Sequence, residues 1–211
     1  MVRKAFLSCM LLITTVANAE YPVGSVAIYS DGRAEKLLQI GDGWRQWEDE
    51  RKRRYTKSNL PFMPLLKYQK FPDRSVGYTQ SIMSGDPQLL MPFGHLAAIQ
   101  FDVSRHSSSS GRTTRSWRCK YAGVGSFTLD KKKLATEKYS CARSTYTKGA
   151  YENLKETLEL KFSTKLGMVV DRRRTDAIGN YTRVKLIRLL RPDKVTAKRI
   201  ARTVYKIRNP K

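Results

Sequence analysis

The chain has 211 residues and carries 41 Lys and Arg against 18 Asp and Glu, a formal net charge of +23. That length supports one domain with a real core, or two very small ones. Three cysteines and two histidines, with no CxxC or HxxxH spacing, leave no recognisable metal site, and no cofactor motif is present.

The distribution of charge says more than its total. Residues 20–110 hold 12 Lys and Arg against 10 Asp and Glu, whereas residues 111–211 hold 27 against 8. Concentration in one half implies a directed field able to attract polyanions. A generic adaptation to an acidic medium is the alternative.

Residues 1–19 have the form of a secretory signal peptide. Arg3 and Lys4 precede a mostly apolar run, Ala5 to Val16, and Ala17-Asn18-Ala19 fits the small-x-small cleavage pattern. The run is shorter than the roughly 20 residues a membrane-spanning helix needs, and no later stretch reads as transmembrane. Cys9 sits too early in the run for a lipoprotein acceptor. What remains reads as a single β-rich domain over 20–211. Its first part, 20–95, holds a hairpin, a charged helix and a Pro-rich arm; its second, 96–211, is a basic sheet plus a C-terminal helix.

Val23 to Ser30 and Ala34 to Ile40, joined by Asp31-Gly32, predict a β-hairpin. Trp44 to Tyr55 predicts a helix capped by Asp42 or Gly43. Glu48–Lys52, Asp49–Arg53 and Glu50–Arg54 are acid-to-base pairs at i,i+4, each worth roughly 0.2–0.5 kcal/mol on a helix. Trp44, Trp47 and Tyr55 would share one face of it, docked in the core or offered to a ligand ring. Residues 56–95 hold five of the eight prolines yet are rich in Leu, Phe, Met and Tyr. They predict an extended arm laid across the fold, a packing strap or the frame of a cleft. The apolar run Leu60 to Phe71 is also a candidate contact for a protein partner.

From His95 onward the sequence reads as sheet. Strands are expected over Leu96–Val103 and Thr113–Tyr121, with Trp117, Cys119 and Tyr121 on one face and Arg118 and Lys120 on the other. Cys119 and Cys141 form an even pair outside the leader. In an oxidising compartment they predict a disulfide between neighbouring strands, stabilising by roughly 3 kcal/mol. Leu158, Leu160 and Phe162 alternate with polar neighbours as a half-buried strand. Gly167 to Val170 starts another that runs into Arg172-Arg173-Arg174, expected at a solvated strand end. Tyr181 to Leu190 returns the chain after Gly179-Asn180. Asp193 then caps a basic amphipathic helix. Its apolar arc is Ala197, Ile200, Ala201, Val204 and Ile207, and Lys194, Lys198, Arg202 and Lys206 recur on the other side.

The sequence lacks G-x-S-x-G, a Gly-rich phosphate loop and HExxH. His95 is the better placed of the two histidines for a hydrolytic site, with Asp86 and Asp102 as its nearest acids in sequence. The expected fold is therefore α+β and mainly antiparallel: a sheet or sandwich with one disulfide, one helix in the N-terminal half and a basic C-terminal helix. The expected function is that of an exported, periplasmic or secreted, non-enzymatic protein. It would bind an anionic partner (envelope glycan, lipopolysaccharide, anionic lipid or nucleic acid) through Arg172, Arg173, Arg174, Lys194, Lys198, Arg202 and Lys206. A small hydrolase with its site at His95 and an accessory subunit of an envelope assembly are the alternatives.

Overall fold

A computed structural model describes residues 21–71, 73, 75–91, 98–145 and 153–210. Among these, twelve antiparallel strands form a closed up-and-down barrel. In chain order they are β1 (Val26–Tyr29), β2 (Ala34–Gly41), β3 (Trp44–Asp49), β4 (Arg54–Ser58), β5 (Lys67–Gln69), β6 (Val76–Ser84), β7 (Ala98–Ser107), β8 (Gly111–Leu129), β9 (Lys132–Thr145), β10 (Asn153–Ser163), β11 (Met168–Asp176) and β12 (Tyr181–Leu190). Each strand pairs with its sequence neighbours. The ring closes where β1 meets β12, with Val26 opposite Leu190 and Ile28 opposite Arg188. This overturns the expected sheet or sandwich. Period-2 alternation is the same in both architectures; only the closing pair distinguishes them.

The predicted helix over Trp44–Tyr55 is the hairpin β3–β4. Glu48 pairs in register with Arg54, and Lys52 holds a left-handed φ of 61° inside the turn, which no helix accommodates. The charge pairs exist but serve a different structure. Asp49 lies 2.6 Å from Arg53, and Glu48 lies 3.3 Å from Lys52 and 3.2 Å from Arg54, bridging the two sides of a four-residue turn. Trp44 and Trp47 consequently face opposite sides of β3, and Trp47 is buried inside. Between β8 and β9 the turn is Asp130-Lys131. Both residues are left-handed, at φ 47° and 68°, as a two-residue hairpin of matching twist requires.

Residues 56–91 are not an arm across the outside. They supply β4, β5, β6 and a 3-10 turn, Pro87–Leu90. The loop between β4 and β5 folds into the barrel. Phe62 is 1% exposed and packs on Tyr139 and Phe101, with ring centroids 5.4 and 6.4 Å away. The disulfide is present: Cys119 and Cys141 stand directly opposite each other on β8 and β9, in the same cluster as Trp117, Leu160 and Phe162.

The C-terminal helix, α1 (Ala197–Arg208), begins later than expected. Pro192–Lys194 is a separate 3-10 turn, and Thr196 caps α1 by accepting from the Arg199 amide. Its packing face is narrower than the predicted arc: Ala197 and Ala201 are exposed, while Ile200, Val204 and Ile207 pack on the barrel's outer surface. They cover Val26, Ile28, Ala34 and Leu190, which are the outward residues of β1, β2 and β12. The helix thus lies across the closing seam. It runs towards the β1–β2 turn, where Arg208 lies against Gly32.

Removing the apolar face of α1 should loosen the seam first. Ile200→Ala is expected to cost about 1–2 kcal/mol, less than a fully buried site. Hydrogen exchange should speed selectively in β1 and β12 while β8 and β9 keep their protection. Uniform loss across all strands would show that the helix does not brace the closure.

Candidate functional site

Closure gives each strand one lumenal and one outward face, and the lumen is not filled. A cavity of about 450 Å³ lies inside the barrel, within the range of small-ligand sites. Its two ends differ because the chain meanders. The β1–β2, β3–β4, β5–β6, β7–β8 and β11–β12 turns lie at one end, here the mouth. The β2–β3, β4–β5, β6–β7, β8–β9 and β10–β11 connections lie at the other, the base. The base is closed by inward-folded apolar groups. Phe62, Leu90 and Leu166 are all buried there, with Phe62 and Leu90 in one cluster and Leu166 and Met168 in a second.

The lining is rich in cations. Arg33, Lys57, Arg115, Arg172 and Arg174 line the cavity, with Arg45 at the base beside the β10–β11 turn, against two carboxylates, Glu35 and Glu156. Most of these cations are already engaged. Lys57 lies 2.5 Å from Glu35, and Arg33 lies 2.6 Å from Asp31 and 3.5 Å from Glu35. Arg143 and Arg174 both bond Glu156, the former at 2.6 Å. Arg45 donates to the Gly167 carbonyl at 2.5 Å and stacks over Tyr21 at 5.6 Å. Burial pushes the Tyr21 hydroxyl up to about 12, partly opposed by Arg45.

Arg115 and Arg172 are different. Neither has a hydrogen-bond or ion-pair partner among the described residues. Burial within the wall lowers the affinity of each guanidinium for its proton. The neighbouring charges of Arg105 and Arg143 add to this at Arg115, partly opposed by Glu156, and that of Arg33 adds to it at Arg172, partly opposed by Glu35. Arg172 is enclosed by the barrel wall, yet solvent reaches its side chain, as it reaches Arg174. The cavity therefore opens beside them.

Aromatic rings complete the mouth. Tyr55, Tyr68 and Tyr78 stand in register on β4, β5 and β6 with centroids 5.5 and 5.6 Å apart, and Arg105 lies 4.0 Å over Tyr78. The Tyr55 hydroxyl donates to Asp49 at 3.0 Å, fixing one end of the row.

The seven residues singled out from sequence are divided by the fold. Arg172 and Arg174 enter the lumen in the mouth-side half of β11 and both remain solvent-exposed there, as expected of a solvated strand end, although the solvent is that of the open lumen. Arg173 points outward and pairs with Glu159 at 3.3 Å. Lys194 lies in the turn before α1; Lys198, Arg202 and Lys206 are exposed on α1. Arg115, Arg143, Glu35 and Lys57 were missed. The signal for Arg115 lay in its parity, since it alternates with Trp117 and Cys119 on the buried face of β8.

His95 lies outside the described residues. Asp86 caps the 3-10 turn, accepting from the Gln88 amide at 2.8 Å. Asp102 and His106 both face outward on β7, about 13 Å apart at roughly 3.3 Å per residue. Asp102 and His106 therefore do not share one site.

No family model matches the chain, and no curated protein matches it. Solved structures of similar shape include the hypothetical lipoprotein YmcC from Escherichia coli K12. It is 11% identical with a TM-score of 0.48, over 78% of this chain and 82% of that one. A Bacteroides fragilis protein with a YmcC-like fold is 7% identical with a TM-score of 0.44, over 81% of this chain and 97% of that one. Likeness at this level concerns shape, and no role is transferred from it.

The Glu156 cluster yields a pH prediction. Burial raises its carboxyl, but hydrogen bonds from Arg143 and Arg174 outweigh that and hold it below the ordinary carboxylate value; Asp49 and Asp171 behave alike beside Arg53 and Arg183. A lowered folded value means stability that is present above the unfolded value and is lost as pH falls through the folded one. Glu156→Gln should cost about 1 kcal/mol near pH 7, with the gap to wild type shrinking at an acid pH below the ordinary carboxylate range. Urea unfolding at both pH values measures this, and a constant gap would show that Glu156 is not a titrating anchor.

Proposed function

We propose that the protein is an exported, non-enzymatic binding protein that receives an anionic group of a cell-envelope component in the mouth of its barrel. The supporting observation is the pair Arg115 and Arg172: cationic, cavity-lining and without a hydrogen bond or ion pair among the described residues, Glu156 and Glu35 acting on them only at longer range. A guanidinium held in a partly desolvated wall beside other cations gains from an incoming anion what it lacks from the protein. Arg174 is shared with Glu156 and can add a bond at the rim. Export is supported by the leader-like residues 1–19 and by a disulfide suited to an oxidising compartment. It fits a periplasmic or secreted location.

The outer cations have a secondary part in this reading. Residues 197–208 contain five basic and no acidic side chains, and Lys198, Arg202 and Lys206 are exposed. They attract an anionic polymer or surface diffusely, and their contribution falls with salt because they stand in bulk water. The lumenal arginines are shielded by the wall and should be less sensitive.

Two sets of variants separate these parts. In about 0.15 M salt, Arg115→Gln with Arg172→Gln should weaken lipopolysaccharide binding at least tenfold. Fold stability should be unchanged or slightly higher, because two cations without partners are removed. Lys198→Gln with Arg202→Gln and Lys206→Gln should matter mainly at low salt. Undiminished binding by the lumenal double variant would overturn the proposal.

A further inference from the structure

The lumen is graded along its axis, and the gradient carries a ligand class. Reading inward positions from mouth to base, β11 presents Arg174, Arg172 and then Val169, while β10 presents Glu156, Leu158, Leu160 and Phe162. Leu158 stands opposite Arg174 and Leu160 opposite Arg172. A cationic stripe therefore runs directly beside an aliphatic one, and both lead down to a base of Phe62 and Met168, where the one cation, Arg45, is held by the Gly167 carbonyl. Leu158, Val169 and Val184 remain partly exposed inside the cavity.

Neither a small hydrophilic anion nor a neutral hydrocarbon matches this lining. The first leaves the aliphatic floor against water; the second leaves Arg115 and Arg172 without an ion-pair partner. We infer that the ligand is an anionic amphiphile, with its acidic head between Arg115, Arg172 and Arg174 and its hydrocarbon chain directed to the base. This inference rests on the anion-binding reading above and adds the chain and its orientation. From Arg174 to Val169 is about 16 Å of strand, or about 12 Å of depth at the tilt usual in barrels. The chain is therefore of medium length, and longer ones outgrow the floor.

The test is calorimetric titration of the folded protein with inorganic phosphate, butyl phosphate, octyl phosphate and neutral octanol, all below aggregation. Affinity should rise by up to roughly fourfold per methylene between butyl and octyl phosphate, and octanol should bind at least tenfold more weakly than octyl phosphate. Leu158→Gln, at a half-exposed position that tolerates a polar group, should weaken octyl phosphate more than butyl phosphate. Equal binding of phosphate, butyl phosphate and octyl phosphate would overturn the amphiphile while leaving anion binding intact. Binding of none of them would overturn both readings, and equal binding of octanol would remove the acidic head. Phosphatidylglycerol vesicles separate the two sources of such a ligand. Arg172-dependent lipid extraction from them supports a membrane lipid, and its absence alongside octyl phosphate binding supports a free amphiphile.

Discussion

The structure depends on one short pairing, the four residues of β1 against β12. Without it the twelve strands are an open twisted sheet, and its two faces differ only in which one meets water. With it, one face becomes a lumen and the other an exterior, and side-chain parity acquires meaning throughout the chain. The seam joins residues more than 150 positions apart, Val26 and Leu190, at the loop-closure cost that such separation carries. The chain reinforces this join from outside. Ile200, Val204 and Ile207 of α1 lie over Val26, Ile28 and Leu190, so the final element covers the bond between the first strand and the last.

Closure also sorts the charge. Outward cations find carboxylates across strands, as Arg183 does with Asp171 at 2.6 Å, or they remain in solvent along α1. Inward cations are crowded at the mouth, where few acids accompany them. Glu35 and Glu156 each serve two cations and are thereby saturated. Arg115 and Arg172 are left over. A barrel packed solid to both ends could not hold them, because an enclosed guanidinium without a partner costs several kcal/mol. The cavity and the unpaired arginines thus explain each other: solvent reaching Arg172 makes the charge tolerable, and the charge makes the space selective.

Much of the strand pattern was legible in the sequence. Trp117, Cys119 and Tyr121 alternate as expected, the cysteines pair across neighbouring strands, and Tyr181–Leu190 is a strand over that same range. Two local signals misled. The i,i+4 spacing of Glu48–Lys52 and Asp49–Arg53 suits a helix, but it suits equally a hairpin whose four-residue turn brings the same side chains together. Prolines in 61–92 suggested an extended strap, although most of them sit in connections between short strands and leave the strands intact. The lumen was not legible, since nothing in the alternation of Arg172, Arg173 and Arg174 says which face becomes the inside. That sense comes from the Val26–Leu190 closure, which no local window contains.

The most direct test is to observe the arginine side chains individually. With guanidinium Nε–Hε signals assigned by substitution, the protein is titrated with octyl phosphate in about 0.15 M salt, where exposed charges are screened beyond roughly 8 Å. The signals of Arg115 and Arg172 should shift saturably and together, ahead of Arg199 and Arg202 on α1. Shifts confined to the α1 arginines, with Arg115 and Arg172 unmoved at saturation, would place the anion outside the barrel and contradict the account.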